Sequence, residues 1–236
     1  MHLEHLHTSK LEPLAIVGIG CRYPGNIRSL QDLWNVVNNK VDAISDYPVT
    51  RIKNVDALVD SERGQDKIIS KRGGFIQDAE YFDAGFFNIS PLEAEKIDPA
   101  QRLLMEVTEE AIENAGLTHQ QLAGSNTGVF VGNWTSDYEH RLRSARQDID
   151  VYATTGSGRY ALSGRLSYIY NLQGPSMTVD TACSSSIVAL HVAAQSLRSG
   201  DCDMALVGAS NTITDFFVSI GYSRSGLLSD YGQCRF

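Results

Sequence analysis

The sequence predicts an α/β layered domain in which helices cover a mostly parallel sheet. Three observations carry this. Short apolar runs of the buried-strand type recur at 14–19 (LAIVGI), 127–132 (TGVFVG), 177–179 (MTV) and 204–209 (MALVGA). Between them lie segments with helical start signals and a 3.6-residue apolar period. At 236 residues and 42% apolar content, the chain is long enough for one large domain or two small ones with a real core.

Taken in order, residues 14–19 read as a buried first strand running into a turn at Pro24-Gly25. Gly18-Ile19-Gly20 does not extend to a dinucleotide fingerprint, because Tyr23 stands where the third glycine belongs. The two glycines are read as easing the turn after the strand. Ser29 and Asp32 form an S-x-x-D start for a helix running to about Asn38. Residues 40–71 carry charges, prolines and weak periodicity, and read as surface loop.

Ser90-Pro91-Leu92-Glu93 and Asp98-Pro99 are two further start signals. After the second, Leu103, Leu104, Val107, Ala111, Ile112 and Ala115 follow a helical stripe, closed by Gly116. Glu106, Glu109, Glu110 and Glu113 are read as its solvated face. Residues 133–150 read as a polar loop or lid. Gly156-Ser157-Gly158 lacks the Lys-Ser/Thr of a phosphate loop. Residues 161–170 read as a helix ending before Gly174-Pro175.

The net charge of −8 argues against nucleic acid or an anionic membrane as the main partner. Cys21, Cys183, Cys202 and Cys234 form no C-x-x-C pair, which suits a reduced, cytoplasmic setting rather than a disulfide framework or a zinc site. No run approaches the ~18 apolar residues of a membrane span. Residues 1–11 contain His2, His5 and His7 without an apolar signal region, and read as a disordered leader; 12–236 is the domain.

The chemistry points to one stretch. The run at 177–179 turns at Asp180-Thr181-Ala182 into a segment with apolar residues nearly all round, including Ile187, Val188, Leu190, Val192 and Leu197. This is the pattern of a buried helix. Cys183 falls at the strand-to-helix turn, where unpaired backbone N–H groups and the helix dipole favour a thiolate. The arrangement is similar to a nucleophile elbow without its G-x-S-x-G form. Ser184, Ser185 and Ser186 are read as capping the helix and shaping the turn rather than attacking substrate. Cys202 is read as core-adjacent and inert. His191 lies eight residues beyond Cys183 on the same helix, about 12 Å away by rise alone, and is read as a core or second-layer residue. His119 and His140 fall in loop-like contexts without a partner pattern.

Asp180-Thr181-Ala182-Cys183-Ser184-Ser185-Ser186 resembles the active-site signature of the β-ketoacyl synthases, in the modular polyketide synthase branch of the thiolase-like superfamily. The matches run in order from Ala15-Ile16-Val17-Gly18-Ile19-Gly20-Cys21-Arg22-Tyr23-Pro24-Gly25 to the signature. Between them come Phe86-Phe87-Asn88-Ile89-Ser90-Pro91, Asp98-Pro99-Ala100-Gln101-Arg102-Leu103-Leu104, Gly164-Arg165-Leu166-Ser167-Tyr168 and Gly174-Pro175-Ser176.

The resemblance implies a thiolase-like fold, α-β-α-β-α in the complete domain with a five-stranded sheet in each half. Only the N-terminal half and its insertions are expected here. It implies Cys183 as the nucleophile of a decarboxylative Claisen condensation in polyketide or fatty acid biosynthesis, with its backbone N–H a candidate oxyanion donor. Substrates would arrive on the phosphopantetheine arm of an acyl carrier protein, and the domain itself would bind no cofactor and no metal. The family's two histidine motifs, H-G-T-G-T and K-x-N-x-G-H, do not occur in the chain. The expected partners are therefore the missing C-terminal half and, in the complete enzyme, a second subunit lying near 151–164. Two alternatives stand beside this: a coenzyme A-dependent thiolase-like condensing enzyme, and a non-catalytic association module or inactive truncated fragment.

Overall fold

The computed structural model of the chain describes residues 12–52, 54–62, 64–144 and 150–234. The leader read at 1–11 lies outside the described residues. In chain order the elements are α1 (Leu30–Asn38), β1 (Ser45–Asp46), β2 (Arg72–Gly73), α2 (Pro91–Lys96), α3 (Pro99–Asn114), α4 (His119–Leu122), β3 (Thr127–Gly132), α5 (Asp137–Ser144), α6 (Val151–Ser157), α7 (Ala161–Ile169), β4 (Ser176–Val179), α8 (Ser185–Ser199), β5 (Met204–Ala209) and α9 (Phe217–Ser225).

Local chemistry starts the helices where the sequence places them. Ser29 accepts a hydrogen bond from the Asp32 N–H (3.1 Å), Ser90 from Glu93 (3.2 Å) and Asp98 from Ala100 (2.8 Å). Pro91 and Pro99 occupy first-turn positions that need no N–H donor. Gly116, at φ +69°, takes the left-handed position just past α3.

The sheet has the order β4-β3-β5, parallel throughout. Every residue of the central β3 is buried. Its side chains alternate between two cores, as the pleat demands. Val129 and Val131 meet Leu104, Met105 and Ile112 of α3 and Leu162 and Leu166 of α7. Phe130 faces the other way, onto Ala189 and Ala193 of α8 and onto Cys202. Complete burial of each of these three β3 side chains stabilises the fold by about 1.5–3 kcal/mol. The result is one α/β/α layer set with the end of β4 leading straight into α8.

Several expectations need correction. Residues 14–19 form no ladder among the described residues, and Leu14, Ile16, Val17 and Ile19 are exposed. Among the described residues the paired sheet has three strands, and the 14–19 run joins neither of its open edges. The 14–19 run is instead pinned along α3. The Ile19 N–H donates to Asn114 Oδ1 (3.0 Å), and Gly18 and Gly20 lie so close that a Cβ on either would sit 2.2 or 2.1 Å from the Ala111 or Val107 carbonyl oxygen. Close approach, not a tight turn, explains both glycines.

The 40–71 stretch is not simply loop. It contributes β1, which pairs antiparallel with β2, and a single 3₁₀ turn at Val55–Leu58. It also has its own small core, with Tyr47, Val55, Ile68, Phe75 and Phe216 buried together. Of the stretch read as loop or lid at 133–150, residues 133–144 hold α5, and 145–149 lie outside the described residues. Three of the four glutamates on the acidic face of α3 have partners, while Glu113 is exposed as expected. Glu110 pairs with Arg22, Glu109 accepts from the Tyr170 hydroxyl (2.9 Å), and Glu106 accepts from the Asp83 N–H (3.4 Å).

Candidate active site

The structure brings Cys183 to the surface at the point where the sheet hands over to α8. A single 3₁₀ turn, Ala182–Ser184, separates β4 from the helix, and the Cys183 side chain is exposed. Ala182 sits at φ +55°, a left-handed conformation that costs an L-residue about 1–3 kcal/mol and persists only when its surroundings impose it. Those surroundings are dense. The Ala182 N–H donates to Asp180 Oδ1 (3.0 Å), and the Thr181 N–H donates to Ser185 Oγ (2.9 Å). The Ser185 hydroxyl donates to the Ala182 carbonyl (2.7 Å), and Ser184 donates to the Thr181 carbonyl (2.8 Å).

Ser184 and Ser185 therefore shape the turn, as expected. Neither hydroxyl caps α8: Ser184 stands at the N-cap position without accepting a first-turn N–H, and Ser185 Oγ accepts from the Thr181 N–H behind it. The turn can lie against the sheet because β3 ends in Gly132, on which a Cβ would fall 2.6 Å from the Ser186 nitrogen. The Asp180 carboxyl is held below the usual range, first by the Ala182 N–H and then by Arg159, whose guanidinium pairs with its Oδ2.

The remaining cysteines divide by burial. Cys21 and Cys202 are buried, and burial pushes both thiols up; Cys183 and Cys234 are exposed. Cys202 is thus placed in the core as expected. The histidines differ from expectation. His191 is exposed on α8, not a core residue, because only the Ala189/Ala193 face of that helix meets the sheet while Ile187 and Leu190 face out. His119 Nε2 lies 2.8 Å from Glu109, and His140 Nδ1 lies 3.1 Å from Asp215, so both have partners that sequence spacing did not show.

Sequence reading also missed a network behind the turn. Gln101, buried in α3, donates from Nε2 to the Gly156 carbonyl (2.7 Å) and the Gly158 carbonyl (3.3 Å). Its Oε1 accepts from Arg165 Nε (3.2 Å), and Arg165 pairs with Glu93 (2.7 Å). These contacts fix the α6–α7 connection, from which Arg159 reaches Asp180. The Gly156-Ser157-Gly158 run marks a place of close approach, but nothing local announces its partners.

A parallel sheet that delivers an exposed cysteine through a constrained turn to a helix start defines an α/β domain with an elbow-like cysteine. Comparison with known proteins narrows this. The chain belongs to the β-ketoacyl synthase, N-terminal domain, family, whose model matches residues 11–236. It is 46% identical over 225 residues to polyketide synthase GfsB of Streptomyces halstedii, covering 95% of this chain and 4% of that protein. It is 45% identical over 234 residues to the spectinabilin polyketide synthase system protein NorC of Streptomyces orinoci, covering 99% of this chain and 10% of that protein.

Among solved structures, the oxazolomycin ketosynthase domain OzmH KS7 of Streptomyces albus superposes with a TM-score of 0.85 at 32% identity. That match covers 93% of this chain and 38% of the solved one. The ketosynthase from module 6 of the bacillaene synthase of Bacillus subtilis gives 0.81 at 34% identity, covering 93% of this chain and 35% of that one. The chain carries an N-terminal ketosynthase domain of the polyketide synthase type, in a family of acyl-transferring condensing enzymes. It spans less than half the length of either solved domain. No helix among the described residues is long and apolar enough to cross a membrane.

Proposed function

We propose that Cys183 is the acyl-carrying nucleophile of a ketosynthase whose remaining catalytic groups lie in the rest of the domain. The observation that carries this is the exposed Cys183 in a densely hydrogen-bonded turn at the start of α8, inside a family match over residues 11–236. Its thiolate attacks the carbonyl of an acyl thioester on the phosphopantetheine arm of an acyl carrier protein. The Cys183 N–H stabilises the tetrahedral oxyanion, the carrier thiol leaves, and acyl-Cys183 forms. A malonyl-type extender on a second carrier then loses carbon dioxide. Its carbanion attacks the acyl carbonyl, and the Cys183 thiolate departs from a chain two carbons longer.

Decarboxylation needs a pair of histidines, and none of the described histidines is free to serve at the thiol. His119 and His140 are engaged with Glu109 and Asp215, and His191 points to solvent. The groups are supplied by the C-terminal half of the domain. Exposed Leu14, Ile16, Val17, Ile187 and Leu190 support such a partner, since apolar side chains in this number usually mark an interface. The completed enzyme acts as a cytoplasmic homodimer. By itself the 236-residue chain loads an acyl group slowly and forms no β-ketoacyl product.

Intact-protein mass spectrometry after incubation with an acyl thioester, then with malonyl-carrier, tests both statements. The expected result is an adduct on Cys183 without product, and product once the C-terminal half is restored. An adduct elsewhere, or robust product from the chain alone, overturns the reading.

A further inference from the structure

A left-handed alanine beside a reactive cysteine has to be imposed by its neighbours, and one of those neighbours comes from far away in sequence. Asp180 Oδ1 accepts the Ala182 N–H at 3.0 Å, while its Oδ2 is held by the Arg159 guanidinium. The two carboxylate oxygens thus have separate tasks: one binds the turn, the other is gripped by a cation 21 residues upstream.

Arg159 itself has a fixed base. Gln101, 2% exposed, donates to the Gly156 and Gly158 carbonyls, and the Asp98 N–H donates to the Gly156 carbonyl at 2.8 Å. Gly156 lies so close to α2 that a Cβ on it would be 2.3 Å from the Lys96 carbonyl oxygen. The chain just before Arg159 is therefore clamped to α2 and α3, and the guanidinium reaches Asp180 from that clamp.

We infer that Arg159 is a positioning residue for Cys183: by holding the Asp180 carboxylate it locks the Ala182 N–H, and with it the turn that aims the thiol and the Cys183 N–H. The pair is half exposed, with side-chain exposures of 43% and 38%, and ion pairs of that kind add little to global stability. Its removal therefore changes geometry at the turn more than it changes folding. The consequence for acyl transfer rests on Cys183 being the nucleophile; the lock does not.

This separation sets the test. Hydrogen exchange, followed by mass spectrometry on peptides spanning 176–186, reads the lock without reference to activity. In Arg159→Ala the Ala182 amide is expected to exchange about tenfold faster while amides of β3 and the interior of α8 stay protected. Arg159→Lys is expected to retain most of the protection. Asp180→Asn keeps an acceptor for the Ala182 N–H but loses the grip, so it should loosen the turn too. The double variant should be no looser than either single one, because the pair acts as a unit.

Acyl loading from a small acyl thioester is expected to slow about tenfold in Arg159→Ala, whereas alkylation by iodoacetamide, which needs no oxyanion donor, stays within about twofold. Unchanged exchange at the turn in both Arg159→Ala and Asp180→Asn overturns the lock. So does a loss of protection spread evenly through the sheet. A loosened turn with unchanged acyl loading overturns the positioning role. If the wild-type acyl group lands on another cysteine while the turn still loosens, the nucleophile assignment fails and the lock stands.

Discussion

Gly132, the last residue of β3, lies directly against the start of α8: a Cβ on it would fall 2.6 Å from both the Ser185 carbonyl carbon and the Ser186 nitrogen. The central strand thus ends in the one residue that lets a helix backbone rest on it. Gly132→Ala must push back the helix start that follows Cys183. The expected cost is about 1–3 kcal/mol of stability, as for other forced insertions into packed sites, read as a lower urea midpoint at unchanged slope. Acyl loading should fall with it. A variant as stable and as active as the parent would show that the strand end yields more freely than its packing indicates.

Cys183 is expected to be alkylated by iodoacetamide well ahead of Cys21 and Cys202, which are buried and whose thiols burial pushes up. Cys234 is exposed as well but lacks the helix-terminal setting. Peptide mapping after brief labelling checks the order. Cys183→Ala should abolish acyl adduct formation, while His191→Ala, altering an exposed side chain, should leave it intact.

The carboxyl of Asp98 gives a pH dependence. Burial pushes its pKa from 3.8 up to about 6. The folded state therefore binds this proton more tightly than the unfolded chain. The group's contribution is complete below about pH 4 and is lost as pH rises through 6. Between those limits it should lower stability by about 1–3 kcal/mol. Asp98→Asn keeps an acceptor for the Ala100 N–H and the Thr212 hydroxyl, and should flatten this segment of the stability–pH curve. Denaturant midpoints collected from pH 4 to 7 make the comparison.

Gln101 supplies buried hydrogen bonds to the α6–α7 connection and to Arg165. Gln101→Leu, similar in size, leaves the buried Gly156 carbonyl with the Asp98 N–H as a remaining donor and takes the acceptor from Arg165. A loss of about 1–3 kcal/mol is expected, the cost of stranding the Arg165 Nε–H, since the Gly158 carbonyl keeps the Ala161 N–H. Thermal or urea unfolding would show it; a loss under 0.5 kcal/mol would mean that the connection is held by its packing.

Association tests the exposed apolar surface. Val151, Tyr160 and Tyr168 stand exposed along the 151–168 region, in addition to the bare faces of residues 14–19 and α8. The domain extended by its C-terminal half is expected to sediment as a dimer at micromolar concentration, and the 236-residue chain alone to self-associate. A completed domain that remains monomeric would contradict the assignment of this surface.

Much of the fold was legible in the sequence because its signals are local. Ser29, Ser90 and Asp98 start their helices wherever the chain goes, since each cap bonds an N–H two or three residues on. The buried β3 and the turn carrying Cys183 were likewise written in runs of a few residues. Tertiary structure alone decided which apolar runs found partners. The 14–19 run and β3 read alike, yet β3 took both flanking strands and 14–19 was left exposed along α3. It decided that α8 covers the sheet with Ala189 and Ala193 and leaves Ile187 and Leu190 bare. It also paired His119 with Glu109, His140 with Asp215 and Arg159 with Asp180, across 10, 75 and 21 residues. Caps and periods act through neighbouring backbone groups and survive any packing. Ion pairs and strand neighbours depend on which surfaces meet once the layers close, and that is a property of the whole chain.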